Sequence, residues 1–235
     1  MSDLYLIDNS TVLKNLLNIT DEKALDLAEA ELSRANMMIF YEKGFCDFSD
    51  KGFCFIHKTL FGDVYEWAGQ IRKINIQKRE QILAGESVWY SDYTRIEKDL
   101  SKIWKKINKI NWSKLSKEEF TKEIARQFSA LWQVHPFREG NTRTVVMAMT
   151  FFIEHHGYFF DQNLMAESAG YVRNAFVLAS LGENSEFEYL EKILDDAICS
   201  EAIDYIESTD APKSKEKYNK YYSEDYTPVK HEYIE

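Results

Sequence analysis

Apolar side chains recur three and four residues apart along most of this chain, the spacing that collects them on one face of an α-helix. "NITDEKALDLAEAELSRANMMIFYEKG" reads as one helix, with Thr20 or Asp21 as N-cap and Gly44 as its stop. Leu25, Leu27, Ala28, Leu32, Ala35 and Ile39 supply its apolar face. A second helical segment covers "GFCFIHKTLFGDVYEWAG" and ends near Gly69; His57 within it is a packed or surface helical residue, because no cluster of further ligands accompanies it. "YTRIEKDLSKIWKKINKI" is amphipathic, and its lysines read as a solvated face. Ser116 and Glu119 make a capping box, so the next helix begins near Lys117, and Pro136 ends it. "TRTVVMAMTFFIEHHG" is apolar nearly all round, which predicts a helix in the centre of the domain with Gly157 as its C-terminal cap. "AESAGYVRNAFVLASLGENSEFEYLEKILDDAICSEAIDYIE" adds amphipathic helix broken around Gly182 to Ser185.

One stretch has a different period. In "IRKINIQKREQILAGESVWYS", Ile71, Ile74 and Ile76 and then Ile82, Val88 and Trp89 bracket a charged, glycine-containing middle, which reads as a short β-hairpin or flap and as the chain's only β structure. Residues 201–235 are charged and rich in tyrosine, and read as a tail on a domain spanning 1–200. Three Pro and nine Gly in 235 residues are too few for a turn-dense β sandwich, so the fold class is all-α with that one flap. A formal net charge of -10 argues against a broad electrostatic grip on nucleic acid. Cys46, Cys54 and Cys199 form no C-x-x-C pair and fit free thiols in a reducing compartment. With no segment of membrane-spanning length and no basic-then-apolar start, the expectation is a cytoplasmic protein with no membrane partner.

The chain's densest chemistry lies in "VHPFREGNTRT", at the predicted junction of two helices. The amides that begin a helix lack intrahelical acceptors and carry the positive end of its dipole. Gly140, Asn141 and Thr142 therefore form an anion cradle, and Arg143 adds a fork of donors suited to phosphate. Glu139 beside that cradle would repel a bare polyphosphate unless a Mg2+ ion were shared between them. His135, with an ordinary pKa of about 6.5, suits a general base. An inter-helix loop whose polar groups merely cap helices remains the alternative on these residues alone.

The segment resembles the signature of the Fic family, H-x-F-x-[D/E]-G-N-G-R-x-x-R: His135, Phe137, Glu139, Gly140, Asn141 and Arg143 match it. "TLFGDVYEWAGQIRK" and "GYVRNAFVLASLGENSEFEYLEKIL" are similar to further parts of that domain, so the resemblance spans roughly residues 20 to 197. It implies a helical bundle with a hairpin flap and transfer of AMP from ATP, with Mg2+, onto a Ser, Thr or Tyr hydroxyl of a target protein. In that reading His135 deprotonates the hydroxyl and Glu139 holds the metal. Asn141 and the amides from Gly140 to Thr142 stabilise developing charge, while Arg143 holds the β-phosphate. Phe137 anchors the loop in the core, and the flap from Ile76 to Val88 docks the target by strand pairing. Tyr171, Arg173 and Asn174 are candidates for the nucleoside pocket, and the tail tyrosines Tyr218, Tyr221, Tyr222, Tyr226 and Tyr233 for self-modification.

Two signature positions depart from the pattern. Thr142 stands for the second Gly and Val146 for the second Arg. Loss of an arginine at 146 removes a charged contact worth about 1.5–3 kcal/mol, so discrimination of ATP from ADP is expected to be weak. UMP, GMP, phosphate and phosphocholine transfer stay open, as does a degenerate binding module, although the retained His135, Glu139, Asn141 and Arg143 argue against the last. The [S/T]-x-x-x-E-[G/N] motif that often restrains the family is not evident. A separate antitoxin-like inhibitor and a homo-oligomer are left open. The expected setting is a toxin-like enzyme acting on an intracellular bacterial target, in preference to a secreted effector.

Overall fold

The computed structural model describes residues 3–200 and, in backbone, 231–232; the tail tyrosines lie outside the described residues. Helix α1 (Glu22–Lys43) is capped by the Asp21 carboxylate accepting from the Ala24 amide and ends at Gly44, whose φ is 69°. Its buried face is not the one the apolar spacing suggests. Leu25, Glu29, Ser33 and Phe40 point inward, whereas Leu27 and Ile39 are exposed. Polar side chains occupy that face because they meet an arginine of the central helix, described below.

Helix α2 (Asp50–Phe61) is shorter than expected and stops at Gly62 instead of near Gly69. The reason is packing: Tyr65 and Trp67 are both buried and stack at 4.3 Å, and residues two apart cannot share a helix face. A turn puts both rings into the core. Helix α3 (Ile96–Ile107) buries Ile96, Leu100, Trp104 and Ile107 and leaves Lys102, Lys105 and Lys106 in solvent, as its pattern required.

Helices α4 (Lys117–Val134) and α5 (Asn141–His155) form the centre. The capping box at Ser116 and Glu119 is present, and α4 ends two residues before Pro136. Val145, Met147, Ala148, Met149, Phe152 and Ile153 of α5 are all buried, on every side of the helix. Helices α6 (Gln162–Glu167), α7 (Ala169–Leu178) and α8 (Glu188–Ala197) close the bundle, with α8 against α4 and α7 against α8. No helix among the described residues is long and apolar enough to cross a membrane, and no disulfide joins Cys46, Cys54 and Cys199.

The fold is thus helical with small antiparallel strand pairs. Strand β1 (Gln77–Lys78) belongs to the flap, which doubles back where the Glu80 amide donates to the Glu86 carbonyl. Ala84 and Gly85 take left-handed backbone in that turn. Two residues beyond the main domain also pair there. With β2 (Phe159–Phe160), β3 (Ile198–Cys199) and β4 (His231–Glu232) numbered in chain order, β1 pairs with β4, setting Gln77 opposite Glu232 and Lys78 opposite His231. A second pair, β2 with β3, ties the end of α8 to the segment after α5, and it is β structure that residue periodicity did not reveal.

Arg72 joins flap to core. It is 1% exposed, and its guanidinium donates to the carbonyls of His135, Ile74 and Ser91, while its amide donates to that of Pro136. Burial lowers its pKa to about 10, which leaves it charged at neutral pH. Replacing Arg72 with Met leaves three carbonyls without that donor, and the expected loss is about 3 kcal/mol or more, read from the urea midpoint. A loss below about 1 kcal/mol would show that the network does not hold the flap.

Candidate active site

The loop between α4 and α5 is shaped by two left-handed residues. His135, the C-cap of α4, has φ 48° and ψ 59°; Gly140, the N-cap of α5, has φ 78°. A Cβ on Gly140 would stand 2.4 Å from the Phe61 ring, so glycine is required there by conformation and by that contact. Phe61 thus packs over the Gly140 Cα, on the loop expected to form the anion cradle. Phe137 is fully buried beneath the loop, as expected, and stacks on His57 at 3.8 Å.

His57 and Asn141 hold the loop from within. His57 Nδ1 accepts from the Gly69 amide at 2.8 Å, and its Nε2–H donates to the Glu139 carbonyl at 3.0 Å. Burial lowers its pKa to about 3, keeping it neutral in that role. The Asn141 side chain accepts from the Phe137 amide at 2.9 Å and donates to the Phe137 carbonyl at 2.8 Å. Its amide is therefore committed to loop geometry. The buried pair of Arg138 with Asp3, 3.0 Å, anchors the same loop to the N-terminal segment.

His135 is 1% exposed. Its Nδ1 lies 3.3 Å from the Trp132 carbonyl, which fixes the Nδ1–H tautomer, and among the described residues Nε2 has no hydrogen-bond partner. Tyr90 stacks on the ring at 4.0 Å. Desolvation, helped by Lys78, Arg173 and Arg72 and opposed by Glu139, holds its pKa well below the usual value. The residue is a neutral imidazole whose buried nitrogen lone pair is available to a proton.

Helix α5 starts at Asn141, one residue before the sequence suggested, and its first amides lack acceptors four residues back. Thr144 makes the first helical bond, to Gly140. The Thr142 hydroxyl accepts from the Trp132 indole N–H at 2.9 Å, so this departure from the signature serves a buried donor beside His135. Arg143 bonds Glu29 and, at 2.7 Å, Ser33, both on α1, and its guanidinium lies 4.7 Å from the centre of the Phe61 ring. The usual restraining motif is absent, yet an α1 glutamate does hold the signature's arginine. Val146 packs against the core.

Glu139 is half-buried, with a 22% exposed side chain, and its two oxygens each lie 3.4 Å from Lys78 Nζ. A cation thus already stands between them. Among the described residues no cluster of three His, Cys, Asp or Glu is formed, so a divalent ion held here would have Glu139 as its protein carboxylate, a hard oxygen donor of the kind Mg2+ prefers. Of the expected nucleoside-pocket residues, Tyr171 donates to the Tyr189 carbonyl in helix packing, and Arg173 donates twice to Glu80 of the flap, at 2.8 and 2.9 Å.

The helical bundle with its small strand pairs has the fold of solved Fic domains. The chain belongs to the Fic/DOC family, whose model matches residues 47–153. It is 30% identical over 154 residues to a probable protein adenylyltransferase of Sinorhizobium fredii, covering 65% of this chain and 76% of that one. It is 27% identical over 210 residues to a protein adenylyltransferase of Bartonella henselae, covering 85% of this chain but only 38% of that longer protein. The N-terminal Fic domain of a VirB-translocated effector from Bartonella quintana, solved with ADP bound, superposes with a TM-score of 0.69 at 26% identity over 83% of this chain and 94% of that one.

Sequence reasoning missed Arg72, Glu29 and Lys78, polar residues whose burial in the fold is the only sign of their role. Restoring the signature glycine by Thr142→Gly would orphan the Trp132 N–H, with an expected cost of about 1–3 kcal/mol in urea unfolding. Thr142→Ser, which keeps the hydroxyl, is expected within about 1 kcal/mol of the parent; equal losses in both would remove the hydroxyl's role.

Proposed function

We propose that this chain transfers AMP from ATP to a hydroxyl of a target protein. The carrying observation is the buried His135 imidazole, with Nδ1 spent on the Trp132 carbonyl and Nε2 unpaired beside the start of α5. The relatives named as protein adenylyltransferases and the ADP-bound neighbour support the reading.

In this mechanism Nε2 of His135 takes the proton of the target hydroxyl, whose oxygen attacks the α-phosphorus. The bond from that phosphorus to the bridging oxygen breaks, AMP remains on the target, and diphosphate leaves. The amides of Asn141, Thr142 and Arg143 face the phosphates, and the Arg143 side chain, oriented by Glu29 and Ser33, receives the departing β-phosphate. Glu139 would hold Mg2+, which when bound neutralises phosphate charge. Asn141 contributes through the loop it shapes more than through its own amide, which Phe137 engages on both sides. The flap supplies the docking edge: β1 accepts an extended antiparallel segment, the chain's own β4, so an extended stretch of target would take that edge in place of β4.

Incubation with α-phosphate-labelled ATP, Mg2+ and cell lysate should label protein with the parent and not with His135→Ala. Because the folded His135 pKa is depressed, the proton-accepting form persists as pH falls through 6.5, and labelling should stay level there. Labelling that survives His135→Ala, or folded parent giving none with any nucleotide, would reject the reading.

Donor choice follows from Val146. With no arginine at that position, ATP is expected to be preferred over ADP by a smaller factor than in Val146→Arg, about tenfold smaller by the scale for one charged contact. An equal or larger preference in the parent, from competition binding, would place the discrimination elsewhere.

A further inference from the structure

The Lys78 ammonium comes from the flap, 61 residues away from Glu139 in sequence, to stand equidistant from both oxygens of the carboxylate expected to hold a metal. The residue is 7% exposed, so this contact is made largely out of water. Its charged surroundings are themselves matched: Glu80, on the same flap, is held twice by Arg173 of α7, and Arg138 by Asp3. Lys78 stands against Glu139 as an ion pair, and the Gly140 amide donates to the same carboxylate at 3.1 Å.

A divalent cation bound to Glu139 would stand within a few ångströms of that ammonium, with like charge and little water to screen it. The two cations therefore oppose one another at this carboxylate, each weakening the hold of the other. We propose that Lys78 is a tethered cation that neutralises Glu139 in the metal-free protein, is displaced when a divalent ion arrives, and then pairs with the phosphates that accompany the ion. The nucleotide part of this statement rests on the function proposed above; the competition at Glu139 does not.

Two consequences follow from the position of Lys78. It acts through Glu139 as a positioning residue, setting how much metal the site demands. Because it is the last residue of β1, its departure from Glu139 moves the edge on which an extended segment docks, so loading of the metal and nucleotide is felt at the docking strand.

The test titrates Mn2+ into the full chain and reads free Mn2+ by electron paramagnetic resonance, without nucleotide and again with saturating ADP. Lys78→Met, and Lys78→Gln as a second neutral variant should the first fold poorly, are expected to bind Mn2+ about tenfold tighter than the parent in both series. Lys78→Arg, which keeps the charge, is expected to match the parent, and Glu139→Gln to lose the site. ADP binding in EDTA should weaken about fivefold in the neutral variants, because the tethered cation is gone. Unchanged or weaker Mn2+ affinity in folded Lys78→Met and Lys78→Gln overturns the proposal, as does Mn2+ binding that survives Glu139→Gln. If the neutral variants bind Mn2+ more tightly but no protein binds ADP under any condition, the competition stands and the nucleotide-transfer reading falls.

Discussion

A loop that reverses the chain between two buried helices must pair its own backbone polar groups, since water cannot reach them. Here the reversal takes left-handed backbone at His135 and at Gly140, and every part of the site is referred to that turn. The conformation is unfavourable for a histidine in isolation and persists because its surroundings fix it from several directions. Arg72 takes the His135 carbonyl, His57 the Glu139 carbonyl, and Asn141 both polar groups of Phe137. In that loop the imidazole of His135 lies against Tyr90 and Trp132, and the Gly140 amide at the start of α5 donates to the Glu139 carboxylate.

The same loop organises the charges. Five basic side chains converge around it, and each has a stated anionic or carbonyl partner: Arg72 with backbone carbonyls, Arg138 with Asp3, Arg143 with Glu29, Arg173 with Glu80, and Lys78 with Glu139. Pairing makes their burial affordable in free energy, because an uncompensated buried charge costs several kcal/mol. Lys78, Arg173 and Arg72 all depress the His135 pKa, so the groups that would attract phosphate also keep the proposed base unprotonated.

Signals in the sequence match the structure where the physics is local. The Ser116 and Glu119 capping box, the stop at Pro136 and the glycine ends of α1 and α5 need only a few neighbouring residues, and all are found. The end of α2 and the inner face of α1 differ from the pattern for the complementary reason. Apolar spacing presumes that a helix buries apolar residues, whereas α1 turns Glu29 and Ser33 inward toward Arg143, 114 residues from Glu29. Thr142 shows both sides of this: its departure from the signature was visible, but its partner Trp132 was not.

By itself the sequence determined a helical domain, the position of its loop, and the residue types there, because helix caps, breakers and an unusual run of polar residues between apolar helices are written in consecutive positions. Only the tertiary structure decided which charges meet. Arg72 reaches His135 across 63 residues, Arg173 reaches Glu80 across 93, and Lys78 reaches Glu139 across 61. Such approaches follow from how whole helices and the flap pack, and an ionised group's role depends on its partner and its burial, neither of which any stretch of the chain carries on its own.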